Sequence, residues 1–404
     1  TSVEGYPLPP RAEIEAAAQR LYELVTVRNR SLGDRRRELI SRSDAQFQAA
    51  AQELSRMLLG PVAAKLADKR LLIVPQGALQ FVPFAALPLP ETEGERDGVT
   101  ESGRAGDKRT RGQGDRETGG ENKSAIRNPQ SYTPLIASHE VVVLPSASAV
   151  AAIRRQMATR RRAERSLIVF ADPVFSAADG RVRQLARKRS TTPQEDKTPI
   201  DAFAPVNSFG LPNLNRLSVT AWEARQLASL ASDSRIVRDF AATLDAAIDP
   251  LLGNYRFIHF ATHALINQQN PDLSAIVLSQ VNEHGQPRNG LLLAKDIHHL
   301  RILAELVVLS ACRTGLGQDV RGEGLLSLTR GFLSSGAARV MVSLWDVEDQ
   351  ATAEMMSRFY RRMLGPERMT PAAALRATKV EMWREGRWGA PYYWGGFVLQ
   401  GDWQ

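Results

Sequence analysis

A chain of 404 residues with 43% apolar content is long enough for one large core or two ordinary domains. A single cysteine excludes an internal disulfide and a multi-cysteine zinc centre, and it suits a reducing compartment such as the cytoplasm. The net charge of +8 invites nucleic acid, but the basic runs RRQMATRRRAER and RVRQLARKR carry no interleaved aromatics, so nucleic-acid binding is not expected.

The chain opens Thr1-Ser2-Val3 without a basic and then apolar leader, and the missing initiator Met suggests a piece of a longer protein. Ile14, Ala17, Ala18, Leu21, Leu24 and Val25 recur at helical spacing, as do Phe47, Ala50, Ala51, Leu54 and Leu58. Gly60-Pro61 stops the second run, so residues 1–70 read as a helical hairpin and linker. The strand LLIVP follows at 71–75; its apolar neighbourhood is broken by Pro75, Gln76, Gln80 and Pro83, so no membrane span is expected. From about 91 to 132 the sequence is charged and almost without apolar residues, which predicts a disordered insertion. A second polar insertion is expected over about 176–215.

Around the insertions, strands alternate with helices through residues 71–404. HEVVVLP, SLIVFAD, RFIHFAT, ELVVLSA, ARVMVSLW and GGFVLQG read as strands. Helices are expected over 148–158, 220–230, 324–335, 348–364 and 371–383. Continuous Val/Ile/Leu strands between amphipathic helices predict an α/β sandwich with a mostly parallel central sheet flanked by helices.

Two strands deliver reactive residues. RFIHFATHA brings His263 just past one strand, and LVVLSACRTGLG brings Cys312 just past another. In parallel α/β sheets ligands gather at the carboxyl ends of strands, so neighbouring parallel strands would present both residues on one edge. An imidazole near a thiol can accept its proton or stabilise the thiolate, and this is the pairing a cysteine nucleophile needs. Gly315 and Gly317 would allow a tight turn after the cysteine. His259 reads as a core histidine, His298 and His299 as surface residues, and His139 as a strand start. No histidine pair has metal-ligand spacing on one helix, so no metal or other cofactor is expected. GLGQDVRGEG lacks the Lys-Ser/Thr ending of a phosphate loop.

HFATHA, LVVLSACRTGLG, RGEGLLSLTRGFLSSGAARVMVSLWDVEDQAT and the closing PYYWGGFVLQGDW together resemble the CHAT domain family of caspase-like cysteine proteases. The resemblance runs from about residue 71 to the C-terminus and implies a caspase-like sandwich with a His263–Cys312 dyad. The 49-residue separation of the two is close to that of the caspase pair. It further implies an oxyanion site built from the backbone N–H groups of Ala264 and Cys312. The family commonly has Gly where this chain has Ala264, and Glu where it has Arg313. Ser310 and Asp346 are the residues the resemblance places at the specificity pocket, which would favour a basic residue in a protein substrate; the competing reading makes Asp346 a helix N-cap. On the former reading, RVRQLARKR in the second insertion would be a self-cleavage site. Family members often carry tetratricopeptide repeats upstream, so such repeats or a regulatory partner are expected. The charged insertion has the character of cyanobacterial proteins, where CHAT-type members are linked to cell differentiation. The rival expectation is an idle dyad on a fold kept for protein interaction.

Overall fold

The structure, a computed structural model, describes residues 3–30, 33–67, 69–90, 133–189, 214–310, 312–315 and 323–403. The charged insertion expected over 91–132 lies outside these residues, as does 190–213 of the second insertion. Two compact units divide the chain: Thr1–Lys69 with Phe84–His139, and Arg70–Pro83 with Glu140–Gln404.

The first unit holds the helical hairpin. Helices α1 (Arg11–Val25) and α2 (Arg36–Leu59) pack together, and the short α3 (Ala63–Leu66) follows. Ile14, Ala17, Ala18, Leu21 and Val25 of α1 are buried, as are Phe47, Ala50, Ala51 and Leu54 of α2. Residues three and four apart share a helix face, so each helix carries one apolar stripe. Arg28, just after α1, is tied to α2, its guanidinium donating two hydrogen bonds of 2.7 Å to the Asp44 carboxylate. Helix α2 begins at Arg36, well before Phe47, and its first turns, RRELISRSD, are too polar to reveal that start as an apolar period. His139 is buried here and donates from Nδ1 to the Lys69 carbonyl at 2.8 Å.

The second unit is built on an eight-stranded sheet of β1 (Leu71–Ile73), β2 (Val141–Val143), β3 (Arg165–Pro173), β4 (Ser234–Asp239), β5 (Tyr255–Ala261), β9 (Leu306–Leu309), β11 (Arg339–Ser343) and β12 (Phe397–Gly401). Its order is β1-β2-β12-β11-β9-β5-β3-β4, and only the β11–β12 pairing is antiparallel. A four-stranded sheet of β6 (His263–Ile266), β7 (Ala275–Val277), β8 (Leu291–Leu293) and β10 (Cys312–Gly315) has the order β10-β6-β7-β8. The helices are α4 (Ala147–Thr159), α5 (Gly180–Arg189), α6 (Ser218–Ser229), α7 (Leu244–Ile248), α8 (Ala294–Ile297), α9 (Glu323–Ser334), α10 (Asp349–Leu364), α11 (Pro371–Arg384) and α12 (Pro391–Trp394). Helix α6 packs on β3, α9 on β11, α4 on β12 and α11 on β2. The expected α/β architecture, with a mostly parallel sheet flanked by helices after a helical hairpin, is the one the chain adopts.

Central strands are apolar on both faces because helices exclude water from each side. Phe170 of β3 stacks on Phe260 of β5 with ring centroids 4.9 Å apart, and Phe332 of α9 lies 5.8 Å from Phe260. Among the described residues no helix is long and apolar enough to cross a membrane.

One expectation is corrected. The stretch RVRQLARKR, expected to be open to proteolysis, is helical: residues 180–189 form α5. Arg181 anchors this helix at the sheet edge. It donates to both oxygens of Asp179, to Asp239 Oδ1 at 2.6 Å and to the Asp172 carbonyl at 2.7 Å. Burial opposes the guanidinium charge, but Asp179, Asp239 and Asp172 outweigh it and raise the pKa. The sequence conceals this because the acidic partners lie on other strands and turns.

Candidate active site

Strands β5 and β9 lie side by side, parallel, with Phe257 opposite Leu306 and Phe260 opposite Leu309. Each chain then leaves the large sheet and enters the small one. Ser310 N–H bonds the Phe260 carbonyl at 3.0 Å, and β6 and β10 resume the pairing with His263 opposite Cys312. The register partners of β5 with β9 and of β6 with β10 are all 49 residues apart, so one register runs through both pairings and carries the histidine and cysteine into direct opposition. Neighbouring strands are about 4.8 Å apart, which sets the separation of the two backbones. The expectation of loop positions just past the strands is refined: both residues begin strands of their own.

The His263 ring is 5% exposed and tilts against Phe175, with centroids 5.0 Å apart. Its Nε2 lies 2.8 Å from the Asn215 carbonyl. A carbonyl can only accept, so Nε2 carries the proton and Nδ1 the lone pair. That Nδ1 is buried and has no hydrogen-bond partner among the described residues. Burial holds the imidazolium below the ordinary histidine range, while the Asn215 carbonyl and the charge of Asp349 pull partly back. A neutral imidazole with a buried lone pair is chemically a proton acceptor. Asp349 starts α10; burial raises its pKa, against the pull of His263, and Glu223 raises it further.

Ala264 sits inside β6, opposite Arg313 of β10 and Ile276 of β7. Its φ is not positive, so the backbone there accepts alanine in place of glycine without strain. Ser310, 7% exposed, aims its hydroxyl at Glu223 Oε1 over 3.4 Å. Glu223, from α6, also lies 3.1 Å from His259 Nε2, and His259 Nδ1 is 3.3 Å from the Tyr360 hydroxyl. His259 is therefore the core histidine expected of it. Asp346 is not the N-cap: α10 starts at Asp349, with Glu348 in the cap position and no side-chain cap bond. The Tyr392 hydroxyl donates to the Asp346 carbonyl at 2.8 Å. His298 and His299 are exposed, and no group of three or more metal-binding side chains occurs among the described residues.

Sequence reading missed Asn215, Phe175, Glu223 and Asp349. Asn215 acts through its backbone, which no residue type reveals. Asp349 had a signal: it lies three residues beyond Asp346 in the same WDVED segment.

Mouse Tetratricopeptide repeat protein 28 is 35% identical over 115 residues, covering 28% of this chain and 5% of that protein. The human protein of the same name is 33% identical over 112 residues, covering 28% and 4%. This chain thus matches a small fraction of the length of these relatives. Among solved structures, the Saccharomyces cerevisiae separase–securin complex aligns over 65% of this chain and 14% of that one, at 12% identity and a TM-score of 0.35. The Arg-specific cysteine proteinase gingipain R aligns over 66% and 54%, at 10% identity and a TM-score of 0.36. The CHAT domain model matches residues 48–110 and 122–402, beginning within α2 rather than at residue 71. With most of its length matched in this way, the chain belongs to the CHAT domain family.

Proposed function

We propose that the chain is a cysteine endopeptidase with His263 as general base and acid and Cys312 as nucleophile. The observation that carries the reading is the direct opposition of His263 and Cys312 in the β6–β10 register. His263 Nδ1 takes the thiol proton as the sulfur attacks the scissile carbonyl carbon. The tetrahedral oxyanion is held by the backbone N–H groups of Ala264 and Cys312. As the C–N bond breaks, Nδ1–H protonates the leaving amine; water then hydrolyses the thioester, again through His263.

The substrate is a protein, and a basic residue precedes the scissile bond. Asp349, whose charge reaches His263, supports this preference together with Asp346 and the neutral Ser310. The charged insertion has the composition of cyanobacterial proteins and the chain resembles HetF, a CHAT-type protein of that group, and on that resemblance we place the substrates among cytoplasmic proteins governing differentiation or division. Tetratricopeptide repeats, named in the relatives, are the proposed neighbours or partners.

A second reading is an idle dyad on an interaction module, favoured by the 5% exposure of His263. Incubation with a peptide library separates the two. Cleavage by the wild type that disappears in Cys312→Ala supports the peptidase; cleavage that persists in Cys312→Ala, or none in either, removes it.

A further inference from the structure

His263 is oriented by a backbone carbonyl, so something must hold that carbonyl in place. The residue after Asn215 is Arg216. Its Nε donates to Asp172 Oδ1 at 2.9 Å and its Nη2 to Asp172 Oδ2 at 2.7 Å. The pair is bidentate, the geometry that adds direction as well as energy. Asp172 is 1% exposed, and its carboxylate raises the pKa of Arg216 against a smaller opposing effect of burial. The Asp172 N–H bonds Thr220 Oγ1 at 2.9 Å, and that hydroxyl donates to the Leu217 carbonyl at 2.7 Å. One aspartate therefore holds the segment from 216 to 220 at two points.

Asp172 is itself built for the task. It has φ +46° and sits where the β3–β4 register shifts between Ala171 and Pro173. Bulges bend a strand and re-aim a side chain, and a left-handed backbone is uncommon for residues other than glycine. Arg181 of α5 locks it further, donating to its carbonyl at 2.7 Å and lying 3.2 Å from Oδ1. A buried carboxylate that clasps the residue next to the carbonyl that binds His263 calls for a role beyond packing.

We propose that Asp172 and Arg216 are positioning residues that fix the Asn215 carbonyl, and through it the tautomer and orientation of the His263 ring. The inference rests on the dyad reading above. Without the clasp, the carbonyl drifts, Nε2–H loses its acceptor, and Nδ1 loses the fixed lone pair that the dyad reading requires. Leu214 and Phe175 pack on the Leu265 cluster and could hold the segment by themselves, so apolar packing is the explanation to exclude.

Cys312 is the only cysteine, so alkylation by iodoacetamide followed by intact mass reads its reactivity without a substrate. The rate is measured against pH for the wild type, His263→Ala, Arg216→Met and Arg216→Lys, with circular dichroism checking the fold. Arg216 is 46% exposed on its side chain, so its replacement is tolerated better than that of Asp172. Arg216→Met is expected to slow alkylation about tenfold at pH 7 and move the profile toward that of His263→Ala, since reactivity follows thiolate population. Arg216→Lys, which keeps the charge and one hydrogen bond, falls between Arg216→Met and the wild type. An Arg216→Met profile superimposed on the wild type, whether or not its melting temperature drops, overturns the clasp while leaving the dyad standing. So does an Arg216→Lys profile no closer to the wild type than that of Arg216→Met. If His263→Ala itself matches the wild type, the dyad reading falls and the clasp falls with it.

Discussion

Lys379 offers a quantitative test of the packing. It lies on the inward face of α11, is 2% exposed, and has no hydrogen-bond or ion-pair partner among the described residues. Burial alone pushes its ammonium down to about 7, from an ordinary 10.5. Each tenfold displacement of a proton equilibrium is worth about 1.4 kcal/mol, so the folded state carries a penalty of about 3–5 kcal/mol at pH 7. Above pH 10.5 the lysine is neutral in both states and the penalty is absent. Between pH 10.5 and 7 the unfolded chain binds a proton that the folded chain does not, so stability rises with pH across this window. Lys379→Met keeps most of the side-chain volume and removes the titration. It should stabilise the protein by a few kcal/mol at pH 7, with the gain shrinking by about 1.4 kcal/mol per pH step toward 10. Urea unfolding of both proteins at pH 7 and pH 9 measures this, and because the other groups are common to both, the difference isolates Lys379. A Met variant less stable than the wild type at pH 7, or a difference that is equal at both pH values, refutes the reasoning.

The dyad acts as a unit, so the Cys312→Ala/His263→Ala double variant should cleave peptides no more slowly than either single variant. Because burial holds His263 below its usual 6.5, the acid limb of the pH–rate profile should centre below that value; a midpoint above it would contradict a buried, neutral base. Asp349→Ala should lower kcat/KM for peptides with Arg or Lys before the scissile bond about tenfold or more while sparing neutral ones, a split that steady-state kinetics reads directly. Helix α5 makes the 181–189 stretch a poor substrate, since proteases bind extended chain; intact mass of native protein after long incubation should show no nick there, and a nick absent from Cys312→Ala would overturn this.

The sequence by itself determined the elements whose signal is local. The apolar stripes of α1 and α2, the Val/Ile/Leu runs of β3, β5, β9 and β11, and helices α4, α6, α9, α10 and α11 are written in periodicity, because burial on one or two faces imposes a fixed spacing. His263 and Cys312 were legible as strand-end residues, and their 49-residue spacing proved to be the register of the sheets. The small strands β6, β7, β8 and β10 were not legible, since three or four residues carry too little pattern to read and their pairing partners lie far away in sequence. Edge strand β4 was missed for a related reason: SRIVRD mixes charge into a half-buried strand. Only tertiary structure decided that a backbone carbonyl at Asn215 orients His263, that Asp349 is the acid whose charge reaches it, and that Arg181 belongs to a helix. Those interactions join groups brought together by crossovers between strands, and electrostatic partners of that kind leave no mark in the spacing of residues along the chain.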